Sequence, residues 1–227
     1  MLTNKKFIQI GKRKKFQYIF FNKKYLQYIF FNNSKFIITG GSSINYFLKK
    51  ILNKKNNYLI NKNKINKYFY LSDERICSSI KFSNSYKIKK LFKKLPKSYR
   101  FYAINNFPSN ITSEVKRYNN ILPKKIDAAF LSIGNDYHIA SLFKNTKIHC
   151  KNRYIFLTSC SNFKFKRISM NKYFLSKPHI IYIFINGIKK FRQFNFMVRN
   201  KILNKYINFK DQNKIILILK GIKKIHV

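Results

Sequence analysis

Apolar residues in this chain gather in short runs that stop abruptly at glycine, serine or acidic residues. Ala128 to Ile133 ends at Gly134, Phe36 to Thr39 at Gly40-Gly41, Tyr68 to Leu71 at Ser72-Asp73, and His179 to Ile185 at Asn186-Gly187. Short apolar runs bounded by turn residues predict buried strands, and two more are expected at Tyr154–Thr158 and Ile215–Leu219. Between them, Tyr46, Phe47, Ile51 and Leu52 recur at helical spacing over Asn45–Leu52, and a basic helix is expected from about Tyr86 to Lys94. Pro96 to Pro123 reads as loop and helix, with Glu114 in a Ser113-led N-terminal turn. Strands alternating with helices predict an α/β fold: a mostly parallel, Rossmann-like sheet with helices on both faces. Residues 1–33 repeat Gln-Tyr-Ile-Phe-Phe-Asn at 17–22 and 27–32, too few copies for a repeat architecture. We expect this low-complexity basic segment to form a helix or a helix–strand pair belonging to the domain. Residues 34–227 are expected to be one α/β domain.

Composition narrows the class. A length of 227 residues suits a single domain, and 45% hydrophobic residues argue for a globular chain. The 24 Phe, 16 Tyr and absent Trp, with abundant Lys, Asn and Ile, match A/T-rich codons, so a reduced endosymbiont or an organelle is an expected source. The net charge of +43 would suit a polyanion binder. The lysines run through the whole chain, however, where a nucleic-acid site would concentrate them. Codon drift is the preferred reading, and no specific nucleic-acid partner is expected. The charge still favours anionic ligands.

Cys77, Cys150 and Cys160 are odd in number and form no Cys-x-x-Cys pair. A disulfide framework or zinc site is not expected, and a reducing cytosol fits. No apolar run approaches the roughly 18 to 20 residues that cross a bilayer, so no membrane partner is expected. The basic N-terminus resembles a transit peptide only as far as the whole chain does. A cytoplasmic location follows, in an endosymbiont cytosol or an organelle stroma. Whether the chain is monomer or dimer is left open.

Candidate chemistry concentrates where strands end. The chain has six acidic residues, six glycines and four histidines, yet Gly134, Asp136 and His138 fall within five positions. Ligands of open α/β sheets bind at the carboxyl ends of strands. Gly40-Gly41-Ser42, between a strand and a helix N-terminus, could cradle phosphate on backbone N–H groups. Asp73-Glu74-Arg75 places two of the six acids beside a cation at another strand end. An N-capping carboxylate with a surface ion pair is the plain alternative there.

These stretches resemble one family in order. Gly134-x-Asp136-x-His138-x-Ala140-Ser141-Leu142-Phe143 resembles a 6-phosphogluconolactonase signature, whereas the sister glucosamine-6-phosphate deaminases continue differently after Asp-Gly-His. Thr39-Gly40-Gly41-Ser42-Ser43 resembles the family's Ser-Gly-Gly-Ser-Thr loop. Asp73-Glu74-Arg75 followed by Ser83-Asn84 resembles its first signature, Arg167-Ile168-Ser169-Met170 its Arg-Ile-Thr-Leu, and Gly187-x-x-Lys190 its Gly-x-x-Lys. The resemblance runs from about Phe36 to Lys190. It implies a sugar-phosphate isomerase/deaminase-like fold and a phosphorylated sugar lactone as substrate, with no cofactor and no metal.

On this resemblance His138 is the expected base, suited to the task by an ordinary pKa of about 6.5. Asp136 orients it, and Arg75 binds phosphate or polarises the carbonyl. Gly40, Gly41, Ser42, Asp73, Arg167 and Lys190 are expected to bind substrate and phosphate, Arg by its planar fork. The chain also departs from the pattern. Tyr137 replaces a glycine, where a bulky residue is expected to resist a positive-φ turn and to crowd the substrate. Lys144-Asn145 replaces Pro-Gly, and the usual late helix with its Asp is not found. A deaminase-like isomerase, or a decayed scaffold serving as a basic nucleic-acid-associated protein, are the alternatives.

Overall fold

The apolar runs form the centre of an eight-stranded sheet in the computed structural model, which describes residues 6–10, 14–21, 28–30, 32–51, 66–93, 95–161, 163–207 and 214–222. Along the chain lie β1 (Lys6–Ile10), β2 (Lys14–Phe20), β3 (Lys35–Ile38), helix α1 (Ser42–Ile51), β4 (Lys67–Leu71), β5 (Asp73–Arg75) and α2 (Asn84–Phe92). Next come β6 (Tyr99–Tyr102), α3 (Ile111–Ile121), β7 (Ala128–Ser132), β8 (Lys147–Lys151), β9 (Ile155–Ser159) and β10 (Arg167–Met170). The series closes with α4 (Lys172–Leu175), β11 (Ile180–Asn186), α5 (Gly187–Arg199) and β12 (Ile215–Lys220).

The large sheet has the order β1-β2-β12-β11-β7-β3-β4-β6 and is parallel except where β1 meets β2. From β3 the chain winds outward through β4 to β6. It then returns to β7 on the other side of β3 and winds the opposite way to β11 and β12. Right-handed crossovers in the two directions put helices on both faces. They also part the loops that leave the carboxyl ends of β3 and β7, which opens a crevice at the switch point.

Stacked aromatic rings fill the sheet's interior. Phe36 and Phe69 sit in register on β3 and β4 with ring centroids 4.9 Å apart. Phe30 lies parallel to Phe130 of β7 at 5.3 Å, and Phe130 stacks on Tyr182 of β11 at 5.2 Å. The small Ala128 opposite Phe36 leaves room for this packing. A Phe-rich composition thus serves as a ladder of offset rings.

Several elements differ from the sequence reading. Residues 1–33 were expected to start with a helix, yet β1 and β2 form an antiparallel pair joined to the sheet through β12. The repeated hexapeptide takes two structures: Gln17–Phe20 extends in β2, while Tyr28–Phe30 is helical. Neighbouring packing overrides local propensity here. Pro96 to Pro123 contains β6, a parallel edge strand, and α3 begins at Ile111 on an Asn110 cap, not on Ser113. The basic helix begins at Asn84, two residues earlier than expected.

A second sheet, β5-β10-β9-β8, was not anticipated and is antiparallel throughout. Its β5 starts one residue after β4, so Asp73-Glu74-Arg75 is a strand and not a loop. Alternation along β5 sends Asp73 and Arg75 to one side and Glu74 to the other. Glu74 is fully buried. Its Oε1 accepts from the Arg75 and Asn84 N–H groups at 2.7 and 2.8 Å, and its Oε2 from the Ser85 N–H at 2.5 Å and Ser83 Oγ at 3.0 Å. Ser83 Oγ in turn accepts from the Tyr86 N–H at 3.0 Å. Three first-turn N–H groups of α2 are thereby satisfied, with a carboxylate at the positive end of its dipole. Glu74→Ala strands four buried donors, and we expect it to lower unfolding free energy by about 3 kcal/mol or more in urea titration.

Candidate active site

The loops after β3 and β7 and the cleft face of β5 and β10 enclose a cavity of about 310 Å³. It is lined by Gly40, Gly41, Asp73, Arg75, Asn84, His138, Arg167 and Lys190, together with Thr39, Ser132 and the start of the β7 turn. Of the residues singled out from sequence, Asp136 lies outside the lining and touches the cavity only through His138. Ser42 opens α1, and its side chain lies outside the described residues.

Strand pairing sets two cations face to face. In the β5–β10 register Arg75 stands opposite Arg167, and Asp73 opposite Ser169. Like charges directly opposed across a strand pair repel. The carboxylates that act on Arg167 are already engaged: Asp136 pairs with His138, and Asp73 accepts from Ser72 Oγ at 2.8 Å and from Ser141 Oγ at 2.7 Å. Arg75 Nη1 donates to the Phe82 carbonyl at 2.8 Å, while Nε of both arginines is buried without a partner. Arg167 is buried and lies over the rings of Phe143 and Phe163, at 5.1 and 4.8 Å. Burial draws its guanidinium below the usual value, with Asp73 opposing. It nevertheless stays cationic at neutral pH.

The turn after β7 is built around its histidine. The Gly134 N–H donates to the His138 carbonyl at 2.9 Å, and the Tyr137 N–H to the Gly134 carbonyl at 3.2 Å. The imidazole folds back over Gly134, where a Cβ would collide with the ring. His138 Nδ1 pairs with Asp136 Oδ1, and the ring packs on Phe143 at 4.7 Å. Burial lowers the His138 pKa from its ordinary value, with Asp136 pulling the other way. An ionised Asp136 fixes the proton on Nδ1, so Nε2 is the atom able to take another.

Tyr137 departs from expectation. It does adopt a positive φ, 64°, and its ring turns away to pack on Phe196 of α5 at 5.2 Å instead of crowding the cavity. Lys190 Nζ donates to the Ile133 carbonyl at 2.6 Å, which leaves two donors free. Burial lowers its pKa as well.

Asn84 and Ser141 were quoted from sequence without a role. Asn84 nestles against Gly40, where a Cβ would strike its amide, and donates to the Asp73 carbonyl at 3.1 Å. Ser141 bridges Asp73 and Arg167, the latter at 3.5 Å. Only the close approach of β5 to the β7 turn shows this, and no sequence spacing records it. Among the described residues no group of three or more His, Cys, Asp or Glu side chains is placed to hold a metal, and no helix is long and apolar enough to cross a membrane.

Solved structures share this architecture. A 6-phosphogluconolactonase from Plasmodium vivax superposes with a TM-score of 0.71 at 20% identity, covering 92% of each chain. One from Shewanella baltica gives 0.72 at 14% identity over 93% of this chain and 99% of that one. A third, from Thermotoga maritima, gives 0.68 at 19% identity over 89% and 99%. At such identities the likeness is one of fold. No curated protein sequence matches the chain significantly. A family model described as glucosamine-6-phosphate isomerases/6-phosphogluconolactonase matches residues 31–204. That span holds both motif loops, the β5–β10 pair and the whole of α5, and the chain belongs to this family.

Proposed function

We propose that this chain hydrolyses 6-phosphoglucono-1,5-lactone to 6-phosphogluconate, the lactonase step of the oxidative pentose phosphate route, using water activated by His138. The observation that carries the reading is the pair of opposed arginines, Arg75 and Arg167, beside Lys190 and the Gly40-Gly41 turn. Cations this close, with the neighbouring carboxylates Asp73 and Asp136 already hydrogen-bonded, favour an anionic ligand. A phosphoryl group supplies that charge. Arg167, Lys190 and the N–H groups at the start of α1 bind it, and Asp73 holds Ser141 and so the arginine's edge. Three free cysteines fit a reducing cytosol or stroma.

The chemistry needs one proton carrier. Neutral His138 takes a proton from water at Nε2 as the oxygen attacks the lactone carbonyl, and Asp136 stabilises the imidazolium. Arg75 faces the oxyanion that develops. Collapse breaks the bond to the ring oxygen, which takes the proton back from His138 and leaves a carboxylic acid that ionises. No electron changes hands, and no metal or organic cofactor is used. The deaminase-like alternative would instead open an amino sugar and release ammonia.

His138→Ala is expected to reduce kcat for lactone hydrolysis by about a hundredfold or more over the spontaneous background. Ammonia release from glucosamine-6-phosphate without lactone hydrolysis would favour the sister activity. Because His138 works unprotonated and burial depresses its pKa, kcat/KM is expected to fall on the acid side through an inflection below the ordinary value of about 6.5. An inflection above that value would remove His138 as base. Arg167→Lys keeps the charge but loses the fork, and KM is expected to rise by about tenfold or more in steady-state assays.

A further inference from the structure

Helix α5 grips the turn that carries His138 at three points, each three residues further along the helix. Lys190 Nζ reaches the Ile133 carbonyl at 2.6 Å and Gln193 Nε2 the Asn135 carbonyl at 2.8 Å. The Phe196 ring meets the Tyr137 ring at 5.2 Å. Residues three apart are neighbours on a helix surface, so positions 190, 193 and 196 make a ladder. Its partners are alternate residues of the turn, 133, 135 and 137.

The first two rungs hold backbone carbonyls and accept any side chain in the turn. The third depends on side chains alone, and it falls where the backbone is under strain. Tyr137 sits at φ 64°, a left-handed conformation that L-residues other than glycine adopt at a cost. Neither Tyr137 nor Phe196 lines the cavity. We propose that Tyr137 and Phe196 are a positioning pair for His138, the rung that keeps the strained turn docked against α5. The inference rests on reading His138 as the general base.

The surroundings of His138 define what undocking would do. Asp136 of its own turn, Asp73 and Arg75 of β5, Arg167 of β10 and Lys190 of α5 are the charged groups about it. Burial is the largest influence on the imidazole and Asp136 opposes it. A turn that swings away from α5 admits water to the ring, and the titration moves upward.

The test compares the parent with Phe196→Ala and Phe196→Tyr, following the His138 ring by NMR titration alongside kcat and KM. Phe196 is about half exposed, so its truncation leaves the core intact. In Phe196→Ala the His138 midpoint should move up toward about 6.5. Its kcat should fall about tenfold, with KM changed by less than about twofold. Phe196→Tyr, which keeps the ring, should match the parent in both. In a Tyr137→Gly background, Phe196→Ala should add nothing further. A midpoint that stays in place or moves down in Phe196→Ala, or moves equally in Phe196→Tyr, overturns the pair. The titration needs no turnover: a parent without lactone hydrolysis would sink the base assignment and leave this test standing.

Discussion

Four hydrogen bonds to one buried carboxylate hold the site's framework in place. Glu74 ties the start of α2 to β5, a strand of three residues whose other anchor is its pairing with β10. With Glu74 turned inward, alternation leaves Asp73 and Arg75 no choice but the cleft face. Pairing with β10 then sets Arg167 and Ser169 opposite them. The carboxylate also occupies the N-terminus of α2, which would otherwise offer a second anion site beside the first. In the proposed reading, anion binding is left to the N-terminus of α1 and the facing arginines.

The same economy runs through the acidic residues as a group. In a chain of net charge +43, five of the six acids fall within the described residues, and each has a defined partner. Asp73 accepts from two serines and Glu74 caps α2. Glu114 clasps Arg117 and the Asn105 N–H, Asp127 receives the Ser34 and Lys35 N–H groups, and Asp136 pairs with His138. Each accepts hydrogen bonds that a lysine, which only donates, cannot replace.

This contrast sets what the sequence could reveal. β3, β4, β7, β11 and β12 were legible because strands buried on both faces read as apolar runs, and the glycines or acids that end them mark the crevice. Of the second sheet only β9 was legible, as the apolar run Tyr154–Thr158, and its place in a separate antiparallel sheet was not. β5 is Asp-Glu-Arg, and β8 is a largely exposed Lys-Ile-His-Cys-Lys edge strand, neither with an apolar pattern to announce it. Their pairing is decided by contacts distant in sequence. The hexapeptide at 17–22 and 27–32 makes the limit plain, since one sequence cannot by itself specify both strand and helix. The candidate site residues were picked out by their chemical rarity and motif order. Their mutual geometry, above all Arg75 against Arg167 and Ser141 between Asp73 and Arg167, comes from the β5–β10 pairing.

Tyr137 shows how a positive-φ turn can hold a residue other than glycine. A left-handed conformation costs a non-glycine residue roughly 1–2 kcal/mol, and an aromatic pair contributes about 0.5–1.5 kcal/mol beyond its buried area. The two are of similar size and opposite sign. A tyrosine in the turn is therefore tolerable if an aromatic waits where its ring must go, and the ladder spacing on α5 puts position 196 there. An aliphatic partner would recover burial without the ring geometry, and a polar one neither. The strain at Tyr137 and the half-exposed ring of Phe196 are thus one feature: each looks unfavourable alone, and each accounts for the other.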